Sequence, residues 1–179
     1  IGGMLKQGIA ASGITVIDPG SAARAKLAET YAVDCRESAE MLDNTGDLLV
    51  LAVKPQQMKE AAAPLIGKLG NAVVVSIAAG LNLATLSRFL GGHRKIVRCM
   101  PNTPALIGAG ITGLCAQPEV SPDERAAADR ILSTVGSTVW IDDGGRMEGV
   151  TALSGSGPAY VFLFIEALQQ AAADLGFTS

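Results

Sequence analysis

The sequence predicts an α/β fold built on a doubly wound, mainly parallel sheet, and three observations carry that prediction. Short β-branched or apolar runs alternate with helical patterns along most of the chain, as in strands joined by crossover helices. Two of these runs, DLLVLAV at 47–53 and AVVVSI at 72–77, are apolar almost throughout, which suits strands covered on both faces. Small-residue, proline-braced turns, MPNTP at 100–104 and SGSGPAY at 154–160, let a flat ligand approach the backbone closely.

Residues 1–8 (IGGMLKQG) read as the tail of a helix with no strand before it. A β-branched strand is expected at 14–18, then an alanine-rich helix at 20–30. After the strand at 47–53, Pro55 suits the opening turn of a helix reaching about residue 65. The strand at 72–77 ends in Ala78-Ala79-Gly80, and a helix at 83–90 is stopped by Gly91-Gly92. Strands follow at 95–100 and 111–116. Ser121 with Glu124 three residues on makes a capping box for a helix at 122–134. A strand at 138–141 closes the series. The last helix, 158–176, is apolar nearly all round until Gln169, so it requires a partner. With no partner after Ser179 and no strand before Ile1, the chain reads as a piece of a longer protein.

Composition narrows the function classes. The chain has 179 residues, 49% hydrophobic and 17% charged, with 14 basic and 17 acidic side chains for a net charge of -3. That balance lacks the electrostatic footprint of nucleic-acid or anionic-membrane binding. The longest apolar run, 72–79, is far too short to span a bilayer. Cys35, Cys99 and Cys115 lie far apart without C-x-x-C spacing, which suggests neither a metal site nor a disulfide framework. With no signal-peptide pattern at the N-terminus, the expected compartment is the cytoplasm.

In open parallel sheets, ligands bind outside the carboxyl ends of the strands. Three such ends follow one another: Ala52-Val53-Lys54-Pro55, Ser76-Ile77-Ala78-Ala79-Gly80 and Met100-Pro101-Asn102-Thr103-Pro104. Together they form the expected floor of a crevice for a planar ring and its ribose, with backbone N–H groups and Ser76 or Asn102 meeting polar atoms. For each segment alone, the plain alternative is that Pro and Gly merely end a strand. At the end of the first strand, Asp18 suits a bond to the 2′-hydroxyl of NAD. Ser21 and Arg24, on the next helical turn, suit a 2′-phosphate instead. A third reading makes Asp18 an ordinary turn former ahead of Pro19. These alternatives stay open.

The motifs AVKP, SxAAG (here SIAAG), MPNTP and SGSGPAY, in this order and spacing, resemble pyrroline-5-carboxylate reductase over nearly the whole chain. The resemblance implies a Rossmann domain that binds NADPH, with NADH possible, followed by an all-α dimerisation domain. It implies hydride delivery to the C=N bond of 1-pyrroline-5-carboxylate, giving L-proline. The corresponding boundaries are 1–150 for a dinucleotide-binding domain lacking its first strand, and 151–179 for the start of the helical domain. Carried over by motif, Ala52, Val53, Lys54 and Pro55 lie along the cofactor. Ile77, Ala78, Ala79 and Gly80 line its nicotinamide half, Ser76 counts with them as cofactor-binding, and Met100 and Asn102 sit close to the ring. Ser21 is the 2′-phosphate contact, and Ser38 matches a position near the adenosine.

The family's glycine-rich phosphate loop would precede Ile1, and its substrate-carboxylate loop would follow Ser179. No catalytic and no metal-binding residue is therefore assigned. Hydride transfer from a cofactor depends on positioning two rings more than on a strong acid or base. His93, between Gly92 and Arg94, reads as a solvated loop residue, and Asp142-Asp143 before Gly144-Gly145 as a turn. Lys54 is expected to serve through its backbone, at a sharp strand-to-helix turn. A β-hydroxyacid dehydrogenase of similar architecture would need a lysine on the interdomain helix, and 158–176 contains none. A non-catalytic module that assembles through that helix is the alternative from another class. The expected partners are the small-molecule substrate and further copies of the chain, with neither nucleic acid nor membrane.

Overall fold

A computed structural model describes residues 1–43, 45–142 and 144–177. Its strands are β1 (Thr15–Ile17), β2 (Asp34–Arg36), β3 (Leu48–Leu51), β4 (Val73–Ser76), β5 (Ile96–Met100), β6 (Gly110–Ala116) and β7 (Gly136–Trp140). Its helices are α1 (Gly2–Lys6), α2 (Ser21–Tyr31), α3 (Met58–Ala62), α4 (Leu83–Phe89), α5 (Pro122–Leu132), α6 (Met147–Val150) and α7 (Gly157–Asp174). β1 and β2 pair in parallel, and the other five strands form one sheet in the order β3-β4-β5-β6-β7. Every neighbouring pair of that sheet is parallel except β5–β6. The doubly wound, mainly parallel α/β prediction holds.

Both faces of the sheet are covered, which explains why the strands lack polar alternation. Successive side chains point to opposite faces. Val74 and Ile96 accordingly meet Met58, Ala62, Leu86 and Leu90 from α3, α4 and the end of α4. Val73, Val75, Val97 and Leu114 meet Ala128 and Leu132 of α5 on the other side. Val74 and Val75 are wholly enclosed, and each such side chain contributes about 1.5–3 kcal/mol relative to exposure. Ile17 of β1 packs against the first of these cores.

Local signals set the helix ends. Ser121 Oγ accepts from the Glu124 N–H at 3.3 Å, and Glu124 Oε2 accepts from the Ser121 N–H at 2.9 Å, so the capping box forms in full. Asn82 caps α4 by accepting from the Thr85 N–H at 2.9 Å. Beyond it, Gly91 and Gly92 take φ of +67° and +89°, and Gly92 N–H reaches back to the Ser87 carbonyl at 2.8 Å, a left-handed stop.

Three features differ from the sequence reading. β2, a three-residue polar strand (DCR), has no apolar pattern to announce it and was not anticipated. The helix expected at 55–65 is one turn of α3 between two 3₁₀ turns, Pro55–Gln57 and Ala63–Leu65. Pro64 in the second turn lacks the N–H an α-helix needs. The third difference is at the C-terminal side. The helical run Gly144–Asp174 is long and apolar enough to cross a membrane by length and composition. The expectation drawn from 72–79 overlooked it, because Glu166, Gln169 and Gln170 interrupt the run without making it polar. Tyr160, Val161, Phe162, Leu163, Phe164, Ile165 and Leu168 of α7 are all exposed.

Candidate functional site

Register places the three strand ends side by side. Leu51 of β3 pairs with Ser76 of β4, and Ser76 pairs with Arg98 of β5. The Ile77 N–H continues the ladder to the Leu51 carbonyl at 3.2 Å. Ala52-Val53 and Ile77-Ala78 therefore leave the sheet at one end, beside Cys99-Met100 where β5 finishes, each about 4.8 Å from its neighbour. Past that edge the chain turns at once. Lys54 caps the 3₁₀ turn Pro55–Gln57, its carbonyl accepting from the Gln57 N–H at 2.9 Å. Gly80 takes φ +74° with open space where a Cβ would project.

The residues singled out by motif do not present themselves alike. Ala52, Lys54 and Gly80 are exposed, and Val53, Pro55, Ile77, Ala79, Met100 and Asn102 are half-buried. Ser76 and Ala78 are buried. The Ser76 hydroxyl accepts from the Ala78 N–H at 3.3 Å and its carbonyl accepts from the Cys99 thiol at 3.3 Å. A ligand in the crevice would meet this segment through Ile77, Ala79 and backbone groups. Asn102 is also engaged. Its Oδ1 accepts from the Ile111 N–H at 2.9 Å, and its Nδ2 donates to Ser154 Oγ at 3.4 Å. Burial pushes the Cys99 thiol up to about 12, so it stays a neutral core side chain.

At the smaller sheet, Asp18 follows β1 and Ser38 follows β2. Asp18 Oδ1 accepts from the Gly20 N–H at 2.7 Å, just ahead of α2. Its carbonyl accepts from Arg24 Nη1 at 2.7 Å, and Arg24 Nη2 donates to Glu37 at 3.5 Å. Asp18 thus forms its turn and also holds a carboxylate at the α2 N-terminus. Ser21 is exposed at the first position of α2. Ser38 Oγ accepts from the Glu40 N–H at 3.1 Å.

Several other side chains resolve or extend the reading. His93 is half-buried rather than solvated, and its Nε2 lies 2.9 Å from the Ala72 carbonyl. Since a carbonyl only accepts, that nitrogen is the donor. Asp142 is exposed, and Asp143 lies outside the described residues. Among the described residues no cluster of His, Cys, Asp and Glu could hold a metal ion.

Sequence reasoning missed Arg98, which is 3% exposed and makes a two-pronged pair with Glu148 of α6 at 3.1 and 3.3 Å. The signal was available: a cation in the middle of KIVRCM must have a partner if that strand is buried. It also missed the π turn Thr151–Gly155 between α6 and α7.

The adjacent strand ends, the order of their motifs and the exposed helix α7 can be set beside known proteins. A pyrroline-5-carboxylate reductase from Pseudomonas aeruginosa is 45% identical over 99% of this chain. The chain belongs to the pyrroline-5-carboxylate reductase family. The family model for pyrroline-5-carboxylate reductase dimerisation matches residues 145–179, and that for NADP oxidoreductase, coenzyme F420-dependent, matches 1–80. The structure of a pyrroline-5-carboxylate reductase from Coxiella burnetii superposes with a TM-score of 0.88 at 36% identity, covering 98% of this chain and 66% of that one. The Plasmodium falciparum pyrroline carboxylate reductase, solved with NADP bound, gives 0.85 at 30% identity, covering 98% and 64%. The chain spans slightly less than two thirds of the Pseudomonas relative, 66% of its length.

Proposed function

We propose that this chain carries the cofactor half of a pyrroline-5-carboxylate reductase, reducing 1-pyrroline-5-carboxylate to L-proline at the expense of NADPH, with NADH also accepted. The observation that carries the reading is the 45% identity to the Pseudomonas reductase along 99% of the chain. The NADP bound in the Plasmodium relative supports the cofactor. The local structure fits such a group: strand ends in register, small residues Ala52, Ala79 and Gly80 at their tips, and one positive-φ glycine that keeps the floor flat.

The reduced nicotinamide would supply a hydride to the imine carbon, and the ring nitrogen would take up a proton as the C=N bond becomes C–N. The chain's own part is binding and orientation. Ala52, Val53, Lys54 and Pro55 would follow the cofactor's length, largely through backbone. Ser76, Ile77, Ala78, Ala79 and Gly80 would form the floor beneath its nicotinamide half, and Met100 and Asn102 would border the ring. Ser21 and Ser38 would lie toward the adenosine. No acid, base or metal ligand is assigned within the chain.

We place the division between a dinucleotide-binding unit, 1–150, and the start of a helical unit, 151–179, at the change from α6 to the π turn. The exposed apolar α7 and the dimerisation match beginning at 145 support self-association through that helix. The free thiols of Cys35 and Cys99, the second of them buried, suit a cytoplasmic location.

The test is pyrroline-5-carboxylate-dependent oxidation of NADPH, followed by loss of reduced-nicotinamide absorbance, in the protein at the length the cell makes it. Dinucleotide binding without turnover of this imine would overturn the substrate assignment. Loss of dinucleotide binding altogether would overturn the cofactor reading and favour a module that only assembles.

A further inference from the structure

Arg98, Met100 and Asn102 occupy alternate positions at the end of β5 and in the extended residues after it, so they share one face. All three meet the helical run that leads to α7. The Arg98 guanidinium donates to both Glu148 oxygens, at 3.1 and 3.3 Å. Met100 lies so close to Gly155 that a Cβ there would stand 2.6 Å from the methionine methyl. Asn102 Nδ2 reaches Ser154 Oγ at 3.4 Å. Beside them, a Cβ on Gly113 of β6 would come within 2.9 Å of Val150, and Met147 is wholly enclosed.

Between these anchors the backbone is not α-helical. Ser156 N–H bonds to the Thr151 carbonyl at 2.9 Å, five residues back. One extra residue in a turn rotates everything after it by about 100° relative to a continuous helix. The π turn brings Ser154 and Gly155 together onto the β5 face and sets the direction in which α7 departs. Such turns persist only where their surroundings hold them. The holding element here is a charge pair with its cation buried and its anion at the surface, 3% and 60% exposed. The bidentate fork gives that pair a fixed angle as well as an attraction.

We propose that Arg98 and Glu148 are positioning residues, which lock the strap 151–155 onto Met100 and Asn102 and so fix the helical unit relative to the cofactor crevice. The inference rests on the reading above that Met100 and Asn102 border the nicotinamide. Two rings held by separate units must meet within a narrow distance, and a misplacement of about 1 Å lowers the rate on the order of a hundredfold. The pair touches neither ring and acts through the strap.

The test compares Glu148→Ala, Glu148→Gln and Arg98→Lys in the protein at the length the cell makes it. Glu148→Gln leaves the buried guanidinium an acceptor and so keeps the fold even if Glu148→Ala or Arg98→Lys does not, and circular dichroism checks each variant. Amide hydrogen exchange is expected to speed at least tenfold at 151–157 in Glu148→Ala, with β4 and α5 unchanged. Unchanged exchange at the strap would overturn the clamp. In the same variant kcat is expected to fall at least tenfold while the dissociation constant for NADPH stays within twofold. Glu148→Gln, which keeps one acceptor for the guanidinium, is expected to fall between. A loosened strap with unchanged kcat, or a loss confined to NADPH affinity, would overturn the positioning role. A wild-type protein that binds NADPH but does not turn over the imine sinks the substrate reading alone, and exchange together with the emission of bound NADPH then judges the clamp. A shifted emission at equal affinity is expected, and an unshifted one overturns the proposal.

Discussion

Replacing Phe164 of α7 by Asp tests whether the exposed helix is a contact between copies of this chain. Seven large apolar side chains from Tyr160 to Leu168 stand between 44% and 66% exposed. At 150–250 Å² for each aromatic and somewhat less for each aliphatic, they offer about 700 Å² per protomer. A stable interface takes about 800 Å² from each side. The helix alone therefore comes close to the area that a dimer needs. In a two-fold contact each substitution is made twice. Losing two buried phenylalanines at about 2 kcal/mol each weakens association by about 4 kcal/mol, close to a thousandfold in Kd. Sedimentation equilibrium over a range of concentrations reads this directly, and circular dichroism confirms that the sheet is intact. A wild-type monomer at high concentration would refute the reasoning. So would a Phe164→Asp dimer as tight as wild type. Flotation of the wild-type protein with phosphatidylcholine vesicles in the absence of detergent would give the helix a different occupant, since its length and composition also allow a span.

Three other outcomes are expected. Gly80→Val should lower dinucleotide affinity at least tenfold and stability by about 1–2 kcal/mol, because φ of +74° disfavours any side chain and a branched one projects into the crevice; unaltered binding in titration calorimetry would remove Gly80 from the site. Asp18→Asn keeps the acceptor for the Gly20 N–H but removes the charge at the α2 N-terminus, so the preference for NADPH over NADH, measured as the ratio of kcat/KM values, should rise several-fold. An unchanged ratio would leave Asp18 as a turn former. The Lys95 ammonium, then the Ser121 N–H, hold the Glu124 carboxyl below its usual range. A lowered folded value means that the stabilisation is present above the unfolded value of about 4.3 and lost as pH falls through the folded one. Glu124→Gln should therefore be less stable than wild type at neutral pH, by less than about 1 kcal/mol for a side chain 23% exposed, with the gap closing in acid. A gap that widens on acidification in urea titrations would contradict the assignment.

Much of this architecture was legible because its determinants are local or periodic. Buried parallel strands need continuous apolar runs, and β3 and β4 lie inside the predicted segments 47–53 and 72–77. The capping box at Ser121 is written in four residues and forms as written. β2 escaped because three residues, two of them charged, hold their place through pairing with β1, a contact that no short window contains. The π turn escaped for a similar reason. SGSGP marks a break in helical pattern, but whether a break becomes a loop, a kink or an extra residue depends on what packs against it.

The same distinction runs through the candidate site. Motifs picked out neighbouring strand ends, since register brings AVKP, SIAAG and MPNTP to one end of the sheet. They did not say which atoms of those motifs are free. Ser76 reads as a ligand contact by position, yet its hydroxyl is buried in the core, where it accepts from the Ala78 N–H. Asn102 looked like a ring contact, and two of its hydrogen bonds go to Ile111 and Ser154. That use is structural. An amide that ties β6 to the π turn also holds the MPNTP loop at a set height above the sheet, so its substitution would move the crevice wall as well as alter its chemistry. Met100 and Asn102, singled out by motif for the ring, are also the side chains of that loop that meet Gly155 and Ser154 at the π turn, so a substitution at either tests ring binding and the seating of the turn together.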